Sequence, residues 1–282
     1  MTYALALLSA LVYGVADFLG GLASRRASVP SVVLFSQAIG LGALLIVAPL
    51  ASRGVPPPAD LAWGAAAGFF GGIGVALLYY GLATGTASVV APVTAVCAIV
   101  IPVATGLALG ERPGVLALWG IAFAALAVAL LSAGGPAAAT PRPPARGGGV
   151  PVAIVAGILI GLFLVCLGRT REGSGMWPLV VARAVSSGGM FVLAVLRRTP
   201  LVPPRPALYP TVGAGILDVA ANALYLLAVQ AGSLGIVATL ASLYPASTVT
   251  LARLVLRERL APVQKLGLAV ALLAIVMITW RR

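Results

Sequence analysis

Residues 85–112 read GTASVVAPVTAVCAIVIPVATGLALGER, and residues 232–259 read GSLGIVATLASLYPASTVTLARLVLRER. The two stretches align without gaps at a shift of 147 residues, and each ends in Glu-Arg. Each contains an apolar segment long enough to cross the hydrocarbon core of a bilayer as a helix. The same shift places Gly14 on Gly161 and Gly120 on Gly267. The chain is therefore expected to consist of two related halves.

Composition places both halves in a membrane. Of the 282 residues, 61% are hydrophobic and 9% are charged, whereas soluble domains have about 45–50% apolar and about 25% charged residues. The apolar runs do not alternate in polarity as the strands of a membrane barrel would, so each run is predicted to be a helix. Charges, prolines and glycines separate ten predicted transmembrane helices, at about residues 3–22, 31–51, 61–83, 87–109, 114–132, 150–168, 177–196, 208–229, 234–256 and 263–280.

The boundary between the halves is predicted in a stretch rich in Ala, Pro, Arg and Gly. We expect a first five-helix repeat at residues 1–135, a linker at 136–149 and a second repeat at 150–282. Because five is an odd number, the second repeat must enter the membrane from the opposite side. Such inverted repeats are typical of alternating-access transporters.

The net charge of +12 does not indicate nucleic-acid binding, because nearly all of the arginines lie between apolar runs, where loop cations anchor helices at the membrane surface. The chain has no histidine, and Cys97 and Cys166 both lie within apolar runs. No CxxC spacing, acidic cluster, nucleotide-binding loop or nucleophile beside a base is visible. We therefore expect no metal, no cofactor and no enzymatic activity.

Two acids stand out because they lie inside apolar spans, namely Asp17 and Asp218. An acid at membrane depth costs about 2.5–3.5 kcal/mol on an insertion scale, so it normally faces a cavity or a partner. Asp60 and Glu172 are expected in loops. A further two acids are expected in helix-end salt bridges, namely Glu111 and Glu258.

Asp218 belongs to a polar stripe on the predicted eighth helix. The stripe has spacings of 4, 3, 4 and 3, which places all its members on one helix face: Thr211, Gly215, Asp218, Asn222 and Tyr225. We expect Asp218, Asn222 and Tyr225 to face a central water-accessible cavity. The alternative is a polar seam that holds helices together.

Asp17 lies on a second stripe, with Ser9 and Tyr13. Burial disfavours the charged form of a carboxyl group. Asp17 or Asp218 could therefore exchange a proton for a cationic substrate. The alternative for each acid is a structural ion pair or hydrogen bond.

Other polar residues and prolines complete the candidate site. Arg183, at the position matching Gln37, could reach the interface, bind a carboxylate or pair with Asp218. Tyr80 matches Tyr225. The remaining polar candidates are Ser242 and Tyr244, and the prolines expected to kink helices near a gate are Pro92, Pro102 and Pro245. Gly64, Gly68 and Gly72 form a small-residue face that predicts close helix packing.

Five helices repeated twice, with the fourth helix of each half followed by Gly110-Glu111-Arg112 or Arg257-Glu258-Arg259, resemble the drug/metabolite transporter superfamily. The similarity is to the branch with two EamA-type domains, and it covers essentially the whole chain outside the linker. It implies export of amino acids, metabolites or drug-like compounds through a central cavity.

The combined expectation is a secondary transporter, an exporter of small molecules by alternating access with possible proton coupling. Its partners would be a small-molecule substrate, protons and membrane lipids, and the chain would work as a monomer or homodimer. We expect it in a cell membrane. The abundance of Ala, Arg, Gly and Pro over Lys and Asn is typical of GC-rich bacterial genomes, so we expect that membrane to be bacterial. The alternatives are a passive facilitator with structural acids and, in another class, a membrane receptor or structural protein.

Overall fold

The computed structural model describes residues 1–24, 26–51, 56–84, 87–133, 149–256 and 261–280. Within these ranges, side chains are described except at residues 51, 79–84, 87–92, 132–133, 149, 248–249, 252–253 and 256. The side chains of Tyr80 and Pro92 therefore lie outside the described residues. So do Glu258 and nearly all of the predicted linker, residues 136–149.

All regular structure in the described residues is helical, with no strand. The elements are α1 (Thr2–Ser24), α2 (Val29–Ala51), α3 (Pro58–Thr84), α4 (Ala87–Ala108), α5 (Val115–Ala133), α6 (Gly149–Gly168), a 3₁₀ turn (Glu172–Ser174), α7 (Trp177–Leu196), α8 (Arg205–Gln230), α9 (Leu234–Ala241), α10 (Tyr244–Leu256) and α11 (Pro262–Thr279). Within the described ranges, seven helices are long and apolar enough to span a bilayer, namely α1, α2, α3, α6, α7, α8 and α11. The protein is thus a helical multi-pass membrane protein, while the number of ten spans stays a prediction.

The predicted ninth helix, residues 234–256, is divided into two helices. α9 ends at Ala241 and α10 begins at Tyr244, so Ser242 and Leu243 interrupt the span. Pro245 has no N–H to donate to the carbonyl four residues earlier, and its ring clashes with the preceding turn. Proline is tolerated in the first turn of a helix, which is where Pro245 lies in α10. The prediction of one continuous helix is therefore wrong at this point.

The packing of the helices repeats between the two halves. α1 packs against α8 as α3 packs against α6, and α5 packs against its own counterpart, α11. A Cβ atom at Gly120 would lie 2.6 Å from the side chain of Ile278, and one at Gly267 would lie 3.0 Å from that of Leu131. These two contacts are exchanged by the sequence shift of 147 residues. This is the packing expected of two halves related by a two-fold axis.

Glycines allow the closest of these approaches. Gly68 lies against Ala182, and a Cβ atom there would be 2.8 Å from the Cα atom of Ala182. Gly64 and Gly72 contact α7 in the same way, one turn before and one turn after. The prediction that this small-residue face allows close packing is confirmed. Bulkier residues would force α3 away from α7.

The bundle has two ends, which we name by the ends of α1. At the Thr2 end, Thr2 Oγ1 donates to the carbonyl of Ala231 at 3.2 Å, which places the α8–α9 connection there. At the Ser24 end, Arg26 Nη1 donates to the carbonyl of Pro206 at 3.2 Å, which places the start of α8 there. α1 and α8 are therefore antiparallel neighbours.

The expectation that Asp60 lies in a loop is wrong. Asp60 is in the first turn of α3 and is 2% exposed. Its carboxylate accepts hydrogen bonds from Ser174 and from the side chain of Arg171, whose Nε atom lies 3.3 Å away. The carboxylate also lies near the positive end of the α3 dipole. Asp60 thus fixes the α6–α7 connection to α3 at the Thr2 end.

Candidate functional site

One face of α1 changes from buried to exposed along the helix. The residues of this face are spaced by four, three, four and four positions, and we call them the α1 stripe: Ala6, Ala10, Tyr13, Asp17 and Gly21. Ala6 and Ala10 are 0% and 5% exposed, whereas Asp17 and Gly21 are exposed. The lipid-facing residues of α1 (Leu8 and Leu11) lie on a different face. We interpret the α1 stripe as one wall of a central cavity, open towards the Ser24 end and closed by packing towards the Thr2 end.

Asp17 is the acid in this cavity, and its carboxylate makes no hydrogen bond or ion pair with any described residue. It lies within electrostatic range of Asp218 and Tyr244. The rings of Tyr13 and Tyr244 face each other at a tilt, with centroids 6.4 Å apart. The hydroxyl of Tyr13 is buried without a hydrogen-bond partner among the described residues. Asp17 and the Tyr13 hydroxyl are thus polar groups without a hydrogen-bond partner among the described residues, and of the two only Asp17 is exposed.

Asp218 is paired, in contrast to Asp17. Arg183 of α7 donates through Nη2 to Asp218 Oδ2 and through Nη1 to Gln37 Oε1 of α2, the latter at 3.2 Å. Ser186 donates to the same oxygen of Gln37. The side chain of Arg183 is 13% exposed and that of Asp218 is 36% exposed, so the pair borders the cavity without being sealed from it. Of the three roles considered for Arg183, the structure shows the pairing with Asp218.

The meeting of Arg183 with Gln37 follows from the repeat. These residues are 146 positions apart, one less than the shift of 147 that aligns the two halves, and α2 packs against α7, its own counterpart. Residues that match across a two-fold axis can touch only when they lie close to the axis. The Arg183–Gln37 contact therefore lies near the centre of the bundle.

The rest of the polar stripe of α8 is buried between helices. Tyr225 is 0% exposed and donates through its hydroxyl to the carbonyl of Leu164 in α6 at 3.1 Å. Asn222 is 2% exposed and donates to the carbonyl of Asp218 at 2.7 Å. The expectation that both face a water-accessible cavity is wrong, because close packing against neighbouring helices excludes water from them. The seam alternative describes Tyr225, whereas the amide of Asn222 bonds its own helix and its Oδ1 atom has no hydrogen-bond partner among the described residues.

Similarity to known proteins agrees with this architecture. The model of the EamA-like transporter family matches the chain twice, at residues 1–133 and 147–280. The chain belongs to the EamA-like transporter family. A solved structure described only as "Crystal structure of protein" is 17% identical, with a TM-score of 0.74 over 98% of this chain and 96% of that one. That likeness concerns the fold alone. No curated protein matches this chain.

Membership of the EamA-like family identifies the chain as a membrane transporter, and the remaining predicted site residues can be placed on that scaffold. Ser242 is 5% exposed and lies at the break between α9 and α10. Pro102 and Pro245 are buried in α4 and α10. Tyr244 opens α10 beside Tyr13. The break therefore lies level with the aromatic pair of the cavity.

Two contacts in this EamA-like chain were not predicted from the sequence. Ser186 joins Gln37 in the central network, and its signal is the polar i+3 position after Arg183. Glu111 binds the start of α9 rather than a neighbouring arginine: its Oε1 accepts from the backbone N–H of Leu234 at 2.5 Å. The expected helix-end salt bridge at Glu111 is therefore replaced by a contact between the two halves.

Three charged side chains lie at the centre of the candidate site. Asp17 contributes one negative charge, and the charges of Asp218 and Arg183 offset each other. With all three ionised, the centre carries a net charge of about −1, in a region where lipid and packed helices strengthen electrostatic interactions. Tyrosine rings beside the acid can add cation–π attraction. Among the described residues, no three potential ligands cluster as a metal site would require.

Proposed function

We propose that this EamA-like chain is a secondary transporter that exports a small cationic or amine-bearing compound by alternating access, with Asp17 as the coupling group. The observation that carries the proposal is the α1 stripe. Along it Asp17, an acid without a partner among the described residues, lies where the buried stretch at the Thr2 end gives way to the exposed stretch at the Ser24 end. An unpaired carboxylate at membrane depth is costly, and binding a proton or a cation relieves that cost.

Competition for one carboxylate is sufficient for exchange. A proton on Asp17 weakens the binding of a cation, and by linkage a bound cation weakens the binding of the proton. If the cavity opens to each side in turn, a cation leaves as protons enter. The apparent affinity for a cation should therefore rise with pH, because a larger fraction of Asp17 is ionised.

The test is flux in proteoliposomes with an imposed pH gradient. The solutes would be a quaternary ammonium, an aromatic amine and a zwitterionic amino acid, each radiolabelled. We expect gradient-driven flux of at least one cation in the wild type. In Asp17→Asn, which keeps the shape but fixes the group neutral, we expect gradient-driven flux to be lost.

Asp218→Asn is the matched control, because it removes the same charge from an acid that already has a partner. We expect it to leave some pH-driven flux while changing the affinity. If Asp17→Asn keeps the pH dependence of the wild type, Asp17 is not the coupling group.

The Arg183–Asp218 pair favours a second candidate, a passive facilitator in which the acids are structural. A facilitator would equilibrate the solute without responding to the pH gradient. The same flux experiment separates the two functions.

A further inference from the structure

Glu111 connects the two halves at the Thr2 end of the cavity. It follows α4, and its carboxylate binds the start of α9: Oε1 accepts from Leu234 N at 2.5 Å, and Oε2 accepts from Gly235 N at 3.1 Å and from Ser233 Oγ at 2.6 Å. Ser233 precedes α9 but makes no capping hydrogen bond of its own. The first N–H groups of α9 are therefore satisfied by an acid from the other half of the chain.

The contact between Glu111 and the start of α9 consists of charge-assisted hydrogen bonds. The first N–H groups of a helix have no partner within the helix, and the helix dipole adds partial positive charge at that point. A carboxylate that accepts several such hydrogen bonds makes charge-assisted contacts. Two glycines allow the approach: a Cβ atom at Gly106 would lie 2.8 Å from Cδ of Glu111, and one at Gly235 would lie 3.3 Å from Cα of Val103.

α9 lies at the closed end of the α1 stripe. All eight of its residues are buried, and it packs against both α1 and α4. α10, on the other side of the break at Ser242 and Leu243, includes exposed residues such as Leu254 and Val255. The break separates a fully buried half-span at the Thr2 end from a partly exposed half-span at the Ser24 end. Because the two half-spans are separate helices, α9 can move without carrying α10 with it.

We propose that Glu111 is a latch that holds α9 against α4 and so keeps the Thr2 end of the cavity closed. Releasing the carboxylate from Ser233, Leu234 and Gly235 then accompanies opening towards the Thr2 end. The inference rests on alternating access as proposed above. Glu111 touches no substrate, and it acts by positioning α9.

The test is the accessibility of single cysteines on the α1 stripe, in full-length protein with Cys97 and Cys166 replaced by alanine. Ala10→Cys reports on the closed stretch and Gly21→Cys on the open stretch. A membrane-impermeant thiol reagent is added to each side of the proteoliposome in turn. In the background without further changes, Gly21→Cys should react from one side and Ala10→Cys should be protected.

With Glu111→Gln added, we expect Ala10→Cys to react about tenfold faster from the side of the Thr2 end, as the loss of one charge-assisted hydrogen bond would predict. Gly21→Cys should react more slowly from its own side. Glu111→Asp, which keeps the charge on a shorter side chain, should restore part of the protection. Glu172→Gln is the matched control, because it removes the same charge from an exposed acid at the same end, and it should change neither rate.

A merely structural role would lower the melting temperature without redistributing accessibility between the ends. Unchanged rates at both cysteines in folded Glu111→Gln or Glu111→Ala would overturn the latch. That outcome is distinct from failure of the proposed function, which would appear as absent flux in the wild type.

Discussion

α1 and α8 are antiparallel neighbours, and each carries an acid within a polar stripe, but the two stripes differ in how their polar groups are satisfied. On α8, Asp218 pairs with Arg183, and the hydroxyl of Tyr225 donates to the carbonyl of Leu164. On α1, Asp17 and the hydroxyl of Tyr13 have no partner among the described residues. A polar stripe in a membrane helix can thus hold helices together or serve a ligand, and here the pairing of its acid distinguishes the two, since the α8 stripe also has a buried atom without a partner among the described residues, Asn222 Oδ1.

The largest expected difference between the stripes comes from their acids. Asp218→Asn leaves the guanidinium of Arg183 without its counter-charge. We expect a loss of about 2–3 kcal/mol in the free energy of unfolding, below the 3–5 kcal/mol of a fully buried pair because the cavity solvates Asp218. Asp17→Asn should leave that free energy unchanged or raise it, since no partner is lost. Denaturant unfolding in detergent measures both.

A double substitution controls for the loss of the charge itself. Arg183→Gln combined with Asp218→Asn should recover part of the stability lost in either single variant, because no charge is left unpaired. If Asp17→Asn destabilises the protein as much as Asp218→Asn, Asp17 has a structural partner and the distinction between the stripes fails.

A smaller difference is expected from one glycine on each stripe. A Cβ atom at Gly215 would lie 3.1 Å from Cα of Ser36, whereas at Gly21 nothing lies within 4 Å. Gly215→Ala should therefore lower the free energy of unfolding by about 1–3 kcal/mol, because the added methyl group overpacks the contact. The melting temperature should fall with it. Gly21→Ala should raise it slightly, because alanine favours a helix over glycine by up to about 1 kcal/mol. Equal effects would mean that Gly21 also lies against a neighbour.

Much of the fold follows from the sequence because few backbone structures are stable in lipid. Apolar length and the need to satisfy every backbone amide fix the helices, and most predicted spans agree with the observed bounds to within a few residues. The repeat predicts which helices pack, since Gly120 and Gly267 mark equivalent contacts. Pro245 predicts a kink, but the sequence does not show that the chain stops being helical for two residues there.

The site is less predictable, because spacing on a helix gives the face and not what covers it. The 4-3-4-3 stripe correctly places Asp218 and Tyr225 on one face of α8, yet α6 buries Tyr225 while Asp218 borders the cavity. Glu111 shows the same limit. Its sequence neighbour Arg112 predicts a local salt bridge, whereas its observed partners lie more than 120 residues away.

The smallest expected difference concerns two tyrosine hydroxyls. Tyr225→Phe removes the hydrogen bond to Leu164 and should lower the free energy of unfolding by about 1 kcal/mol. Tyr13→Phe removes a buried hydroxyl that has no partner among the described residues, so we expect stability to stay the same or rise. If that hydroxyl is available to a ligand, Tyr13→Phe should instead raise the KM for transport, and Tyr225→Phe should not. Tyr225→Phe should therefore lower the free energy of unfolding without changing KM, whereas Tyr13→Phe should raise KM without lowering that free energy. A Tyr13→Phe protein that loses stability with an unchanged KM would place Tyr13 in the seam and leave Asp17 as the unpaired group of the cavity.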